Sequence, residues 1–119
     1  MFLFDTYAII EIIKGNKNYE RYLDSEFIIN DFIITELSYW IIKEHGVELL
    51  DRYVDKYKKF VKRIETETIK KAMEFRYRNK NKKLSTTDCV SYIQAKELGI
   101  KFLTGDKEFE KLDGVEFVK

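Results

Sequence analysis

The sequence predicts an α/β protein in which a parallel sheet carries helices on both faces. Short apolar runs that are typical of strands alternate with longer segments that are typical of helices along all 119 residues. The chain has no proline, so its five glycines and its polar clusters separate these segments. The length fits one domain, and we expect residues 1–119 to form it.

The N-terminal part of the chain repeats a strand-then-helix pattern. Its apolar runs are rich in aromatic and β-branched residues, which favour strands. Gly15 stops the first helix, while Asn30 and Asp31 are favoured residues at the start of the next one. We expect a strand at Phe2–Phe4, helices at Tyr7–Lys14 and Asn18–Leu23, and a second strand at Phe27–Ile29.

The middle of the chain predicts a helical hairpin. Phe32–Glu44 holds so many apolar side chains that we expect this helix to be largely buried, and Gly46 ends it. From Val47 to Val61 the apolar residues recur every three or four positions, which predicts an amphipathic helix. The segment Phe60–Ile64 is either a short strand or the continuation of that helix.

The C-terminal part returns to alternating helices and strands. Ser85 and Asp88 form the sequence pattern of a capping box, which favours a helix start at this point. Gly99 marks the end of that helix. We expect helices at Thr66–Tyr77 and Ser85–Leu98, and strands at Ile100–Leu103 and Val115–Val118.

Composition excludes several classes of protein. The chain is 45% hydrophobic and 36% charged, which argues against a disordered or membrane protein, and no apolar run approaches the ~20 residues of a membrane span. A single cysteine excludes an internal disulfide framework, and a single histidine argues against histidine-rich metal sites and a Ser-His-Asp triad. Met1 is followed by no basic leader, so we expect an intact cytoplasmic protein.

Four acidic residues fall where an open parallel sheet binds ligands, beyond the carboxyl ends of its strands. Asp5 follows the first strand and Asp106 follows the strand at Ile100–Leu103. Asp88 lies in the first turn of the helix before that strand, and Glu36 lies one turn into the helix that follows the second strand. Each acid also has a structural alternative, since three could cap helices and Glu36 could be an exposed helix acid.

The coincidence of four acids at one edge of the sheet indicates a cation site. Carboxylates at close range repel one another unless a cation is bound among them. Ligands that are all oxygen suit Mg²⁺ or Mn²⁺. A site that holds such ions can activate water and stabilise the leaving oxygen of a phosphodiester, so hydrolysis of phosphodiesters is the chemistry that these residues predict.

The same residues carry a resemblance to the PIN-domain nucleases that extends over the whole chain. Asp5-Thr6, the acid in Ile34–Leu37 and the segment Leu84–Asp88 match the family's acidic segments. The most specific match is Ala95–Phe109, which is similar to the family's succession of helix, glycine, strand and Thr-x-Asp-x-x-Phe. Small stand-alone domains of this kind resemble the VapC-type toxins.

The resemblance implies a three-layer α/β/α fold with a parallel sheet of four or five strands in the order 3-2-1-4-5. It implies cleavage of RNA with Mg²⁺ or Mn²⁺ as cofactor, usually by a homodimer that a cognate antitoxin protein holds inactive. Asp5, Glu36, Asp88 and Asp106 match the metal-binding catalytic positions, and Thr6 and Thr104 match the hydroxyl residues beside them. Tyr7 departs from the pattern, because many relatives have a small polar residue there.

A basic segment directly precedes Asp88 and is a candidate RNA-binding surface. Phe75–Thr87 contains no acidic residue, and basic side chains of this kind can guide a phosphate backbone. The alternative is a solvated helix end and loop, where cations are also favoured. The five basic residues are Arg76, Arg78, Lys80, Lys82 and Lys83.

Two other functions remain open at this point. One is a PIN-like binding or scaffold module whose site has lost activity, although the presence of all four acids argues against it. The other is a structure-specific DNA nuclease, but a chain of 119 residues is short for the additional DNA-holding elements of that class. We therefore expect a metal-dependent endoribonuclease that acts as the toxin of a toxin-antitoxin pair.

Overall fold

A computed structural model describes residues 1–119 and shows a parallel four-stranded sheet flanked by helices. The strands are β1 (Phe2–Phe4), β2 (Phe27–Ile28), β3 (Lys101–Thr104) and β4 (Val115–Phe117). The α-helices are α1 (Thr6–Ile13), α2 (Asp31–His45), α3 (Leu50–Tyr57), α4 (Thr66–Arg78) and α5 (Thr86–Glu97). Short 3₁₀ helices span Lys17–Tyr22, Val47–Leu49, Lys58–Phe60 and Lys107–Phe109.

The order of the strands places a crevice between β1 and β3. The sheet runs β2-β1-β3-β4, and all three pairings are parallel. From β1 the chain first builds outward to β2 and then returns to the other side of β1 with β3. The strand order therefore reverses between β1 and β3, and the carboxyl ends of these two strands flank the point where such sheets bind ligands.

The predicted fold class and strand order are confirmed, and the open alternative at Phe60–Ile64 is resolved. The helical stretch ends with the 3₁₀ helix at Lys58–Phe60, and Val61 then forms a single parallel bridge with Ile29, beside β2. The third strand of the predicted order 3-2-1-4-5 would lie beside β2 at the edge of the sheet. In the structure it is reduced to this one bridge. Val61 has the extended backbone of a strand, but its neighbours do not continue the pairing.

The prediction that the Phe32–Glu44 helix is largely buried is wrong. Only Ile33, Leu37 and Ile41 of α2 are buried, one stripe with the spacing of successive helical turns. Tyr39 is 70% exposed and Ile42 is 43% exposed. The apolar count of the segment overestimated its burial, because only one face of α2 packs against the rest of the chain.

Aromatic side chains form much of the core that holds the sheet edge in place. Phe4 of β1 stacks on Phe27 of β2, with ring centroids 4.2 Å apart and nearly parallel rings. On the other side of the sheet centre, Phe102 of β3 packs edge-on against Phe109 at 5.4 Å. The first contact joins β1 to β2, and the second joins β3 to the 3₁₀ helix at Lys107–Phe109 that follows Asp106. None of the helices is both long and apolar enough to span a membrane.

Candidate active site

A cleft of about 530 Å³ opens at the carboxyl ends of β1 and β3, and we call it the acid cleft. It contains the four acids that the sequence singled out, although they come from four separate segments of the chain. Its lining residues are Asp5, Thr6, Tyr7, Glu36, Asp88, Gly105, Asp106, Lys107 and Lys119.

Asp5 lies at the base of the acid cleft, at the junction of β1 and α1. Its backbone N–H donates to the carbonyl of Leu103 at 3.0 Å, which continues the pairing of β1 with β3 by one residue. Its side chain is only 4% exposed and makes no capping hydrogen bond to α1. The side chain is therefore available to the cleft, and the capping alternative for Asp5 is not what the structure shows.

Thr104 connects two of the acids. Its buried hydroxyl donates to Asp5 Oδ2 at 2.6 Å and accepts from the backbone N–H of Asp106 at 3.1 Å. Because one hydroxyl serves both residues, the end of β3 sets the orientation of the Asp5 carboxylate and the position of Asp106 together. This is the placement beside the acids that the sequence predicted for Thr104.

Asp88 and Asp106 do have the structural roles that the sequence left open. Asp88 completes the capping box of α5, since its Oδ2 accepts from Ser85 N at 3.2 Å while its own N–H donates to Ser85 Oγ at 3.0 Å. Asp106 Oδ1 caps the following 3₁₀ helix by accepting from Glu108 N at 3.0 Å. In each residue these bonds involve one carboxylate oxygen, and both side chains still line the acid cleft.

Glu36 reaches the acid cleft from an exposed position on α2 rather than from the buried surroundings that the sequence suggested. Its Oε1 accepts a hydrogen bond of 2.7 Å from the Thr6 hydroxyl. This bond joins the first turn of α1 to α2 across the cleft. Thr6 therefore holds one oxygen of the Glu36 carboxylate.

Burial and the charges of neighbouring acids raise the pKa values of Asp5 and Asp88. Burial raises the pKa of Asp5 to about 8, and the charges of Asp88 and then Glu36 add to the rise. Burial also raises the pKa of Asp88, with further contributions from Asp106 and Glu36. The Thr104 hydroxyl opposes the shift at Asp5, but it does not outweigh burial. A bound cation would relieve this repulsion.

The donor set of the acid cleft suits a hard divalent cation. All four acids offer carboxylate oxygens, the type of ligand that Mg²⁺ and Mn²⁺ prefer. No three His, Cys, Asp or Glu side chains are gathered closely enough to enclose a metal ion as they stand. Binding would therefore require the carboxylates to turn inward, and the hydrogen bonds of Asp5 and Glu36 leave one oxygen of each free to do so.

Two further residues of the acid cleft were missed in the sequence, whereas Tyr7, which departs from the family pattern, also lines it. Lys107 and Lys119 line it beside the acids. Tyr7 lies against Gly105, where an added Cβ would come within 2.2 Å of the Tyr7 ring and 2.6 Å of the Val118 carbonyl. Lys107 follows Asp106 directly and could have been suspected, whereas no local pattern signals the position of Lys119.

The predicted basic segment lies next to the start of α5, and its members differ in how they are held. Arg76 donates to the carbonyl of Leu84 at 3.2 Å and to the Thr86 hydroxyl at 2.9 Å, which braces the connection to α5. Arg78 pairs with Glu74 at 3.2 Å. Lys80 lies over the ring of Tyr77, 4.4 Å from its centroid. Lys82 and Lys83 are exposed.

Comparison with known families gives one match over nearly the whole chain. The model of the PIN domain matches residues 2–115. This range includes all four acids of the cleft and ends in β4. No curated protein matches the chain in sequence.

Several solved structures share the fold. A VapC20 toxin from Mycobacterium tuberculosis, described as cleaving the sarcin-ricin loop, has a TM-score of 0.81 at 15% identity, with all of both chains covered. A toxin-antitoxin complex from Klebsiella pneumoniae has a TM-score of 0.77 at 18% identity, covering 98% of this chain and 96% of that one. VapBC2 from Rickettsia felis, bound to a promoter DNA fragment, has a TM-score of 0.76 at 17% identity, covering 99% and 98%.

Proposed function

Because this chain belongs to the PIN-domain family, we propose that it is an endoribonuclease that uses Mg²⁺ or Mn²⁺ to hydrolyse RNA phosphodiester bonds. The observation that carries the proposal is the convergence of Asp5, Glu36, Asp88 and Asp106 in one cleft at the point where the strand order reverses. Acids that served only as helix caps would have no reason to meet. Two of them do cap helices and yet still line the cleft.

The proposed mechanism gives the four acids the task of holding the cation and the water. A divalent cation would supply activation of water and neutralisation of the charge that develops on the phosphate. Asp5 and Asp106 come directly from strand ends, and we assign them to direct contact with the cation. Glu36 and Asp88 would complete its surroundings or orient the attacking water, which approaches the phosphate in line. Thr6 and Thr104 would each hold one oxygen of Glu36 and of Asp5, which leaves the other oxygen free to contact the cation.

The basic segment supports RNA as the substrate. Exposed lysines near the start of α5 lie beside the segment that delivers Asp88, and positive charge attracts a phosphate backbone. Arg76 and Arg78 are partly engaged by the protein itself, so we assign direct phosphate contact to Lys80, Lys82 and Lys83. Arg76 would act mainly by bracing the connection that positions α5.

We also propose that the protein acts as the toxin of a toxin-antitoxin pair, is cytoplasmic and forms a homodimer. Structures of toxins and of toxin-antitoxin complexes are among its relatives in fold. The protein exposes large apolar side chains on and just after α2, including Tyr39 and Ile42 and also Val47, which is 61% exposed. Exposed apolar groups on neighbouring positions are typical of surfaces that bind a protein partner. Light scattering of the purified chain tests the dimer directly.

Calorimetric titration with Mn²⁺ tests the metal site without knowledge of the substrate. Wild type is compared with Asp106→Asn, which keeps the oxygen that caps the 3₁₀ helix but removes a charge from the cleft. Asp55→Asn is the matched control, since Asp55 is exposed on α3 and pairs only with Lys58. We expect Asp106→Asn to weaken Mn²⁺ binding at least about tenfold and the control to leave it unchanged.

Cleavage of a mixed RNA pool, with branched DNA as competitor, tests the reaction. We expect wild type to cut RNA in Mn²⁺ and to stop when EDTA is added. Preferred cutting of branched DNA would favour the DNA nuclease. Correctly folded wild type that binds no Mn²⁺, even with RNA present, would refute the nuclease and leave a binding module.

A further inference from the structure

A second cleft of about 600 Å³ lies beside the acid cleft, and we call it the side cleft. It is formed between the 3₁₀ helix Lys17–Tyr22 and the chain after β4. Its lining residues are Lys17, Asn18, Glu20, Arg21, Tyr22, Phe117, Val118 and Lys119. Its volume lies within the range of sites that bind small ligands or parts of larger ones.

Hydrogen bonds between distant parts of the chain fix the walls of the side cleft. The buried Tyr19 donates its hydroxyl to the Val118 carbonyl at 2.6 Å, and the Asn18 amide donates to the Lys119 carbonyl at 3.0 Å. Tyr22 donates its hydroxyl to Glu116 Oε2 at 2.7 Å. The cleft is therefore preformed, which lowers the cost of ordering its residues around a ligand.

Basic side chains outnumber acidic ones in the lining of the side cleft. Lys17, Arg21 and Lys119 are exposed, and none of them forms an ion pair. Glu20 is the one acidic side chain of the lining, and Glu116, just outside it, accepts from the Tyr22 hydroxyl. Unpaired cations in a preformed cleft suit an anionic ligand.

The side cleft and the acid cleft are continuous. Lys119 lines both of them, and its ammonium lies over the Tyr7 ring, 5.6 Å from the centroid. Val118 of the side cleft lies against Gly105 of the acid cleft, where even a methyl group would meet its carbonyl. A polymer held among the four acids therefore has a direct route across Tyr7 into the side cleft.

We propose that the side cleft holds the phosphates of the RNA strand adjacent to the bond that is cut, with Lys17, Arg21 and Lys119 as phosphate-binding residues. This inference rests on the proposed function, because it supplies the path of that substrate. It adds a second basic surface, separate in sequence from Arg76–Lys83. The strand would then be held next to the acids, and this would keep the scissile phosphate in place although the carboxylates repel it.

Fluorescence anisotropy with a labelled single-stranded RNA of about 12 nucleotides tests the side cleft in EDTA, where binding is measured apart from cleavage. The variant is Lys17→Gln/Arg21→Gln, with Lys119→Gln made separately. The matched control is Arg52→Gln/Lys101→Gln, which removes the same charge from exposed positions on α3 and at the start of β3, at the far edge of the sheet from the acids. Thermal denaturation confirms that each variant is folded.

We expect the side-cleft double variant to bind RNA about 5- to 10-fold more weakly than the control. The slope of log affinity against log salt concentration should fall in magnitude by about 1.4, because each phosphate contact to a single strand contributes about 0.7 and two contacts are lost. Affinity and slope equal to those of the control would overturn the inference. If wild type then still cuts RNA in Mn²⁺, the proposed function stands without it, whereas wild type that neither binds nor cuts RNA overturns both.

Discussion

Two groups of polar side chains lie beyond the carboxyl ends of the strands, and they are satisfied in opposite ways. Beyond β2, Asn30 forms a neutral network with Ser91 and Gln94, and all three side chains are buried. Asn30 Nδ2 donates to Ser91 Oγ and to Gln94 Oε1, both at 3.0 Å, while Asn30 Oδ1 caps α2 through Ile33 N. Beyond β1 and β3, the four acids of the acid cleft face one another.

The difference separates a group of polar side chains that is satisfied within the fold from one that is not. The Asn30 network pairs donors with acceptors, and Gln94 completes it by donating to the Arg63 carbonyl at 3.1 Å. The acid cleft has more acceptors than its hydroxyl donors can satisfy, and burial with like charges raises the pKa of Asp5 and of Asp88. Such an arrangement destabilises the free protein when the acids are ionised, and either protonation or a bound cation relieves the repulsion.

The largest expected effect is on activity, and it belongs to the acid cleft. Asp5→Asn keeps the acceptor for Thr104 but removes the buried charge, so we expect RNA cleavage in Mn²⁺ to fall at least about 100-fold with the fold retained. Single-turnover cleavage with saturating protein measures the effect. Activity within a few-fold of wild type would show that Asp5 does not serve the reaction.

The largest expected effect on stability belongs to the Asn30 network. Asn30→Ala removes the cap of α2 and leaves the buried Oε1 of Gln94 without a donor, so the free energy of unfolding should fall by about 3 kcal/mol. Urea denaturation measures the loss, and the exposed Asn81→Ala is the control. Mn²⁺ affinity of the folded variant should be unchanged. A large loss of Mn²⁺ affinity would mean that the two groups act as one site.

Thr104 resembles the Asn30 network because it is a buried, neutral side chain that both donates and accepts hydrogen bonds. Thr104→Val removes the donor to Asp5 and the acceptor for Asp106 N while keeping the shape of the side chain. We expect cleavage to fall about 10- to 100-fold. Thr104→Ser should restore most of it, because the hydroxyl is retained. Equal activity of the valine and serine variants would assign Thr104 to packing alone.

The smallest expected effect is on stability and has the opposite sign to that of Asn30→Ala: replacing Asp5 should raise the free energy of unfolding. Without divalent cations, Asp5→Asn should stabilise the protein by about 1–3 kcal/mol near pH 8, less than the full pKa shift implies, because burial of the asparagine amide also costs free energy. The pKa of Asp5 is raised from 3.8 to about 8, so the folded state binds the proton more tightly than the unfolded state. The contribution of Asp5 to the free energy of unfolding of wild type is therefore fully present below about pH 4 and is lost as the pH rises to about 8.

Thermal denaturation in EDTA over this pH window checks the expectation. The Asp5→Asn variant should show a flatter dependence on pH than wild type. Adding Mn²⁺ should stabilise wild type and leave the variant nearly unchanged. A variant less stable than wild type at pH 8 would mean that the Asp5 charge is satisfied within the protein.

The positions of the acids were predictable from the sequence because they depend on local signals. A short apolar run followed by an acid fixes Asp5 and Asp106 at strand ends, and the capping box fixes Asp88 at the start of α5. The parallel sheet then brings these points together, as alternating strands and helices predict. The roles of these residues in metal binding and catalysis remain predictions.

Other features depend on contacts between distant segments, and the sequence gives no signal for them. The exposure of Glu36 and Tyr39 is set by which face of α2 finds a neighbour, whereas apolar content suggested burial. Lys119 reaches the acid cleft because Tyr19 and Asn18 hold the chain after β4. The β-branched and aromatic residues of Phe60–Ile64 favoured a short strand, but the preceding helix could equally have continued through them, and only the bridge of Val61 to Ile29 decides between the two.

The pairing of β1 with β3 also has a consequence for how the chain folds. The hydrogen bond between Thr104 and Asp5 closes a loop in which the two residues are 99 positions apart. The central strand of the sheet therefore cannot find its neighbour on that side until nearly the whole chain has left the ribosome. Native structure at this edge must form late and against a large loop-closure entropy, so we expect folding slower than that of a helical bundle of equal length.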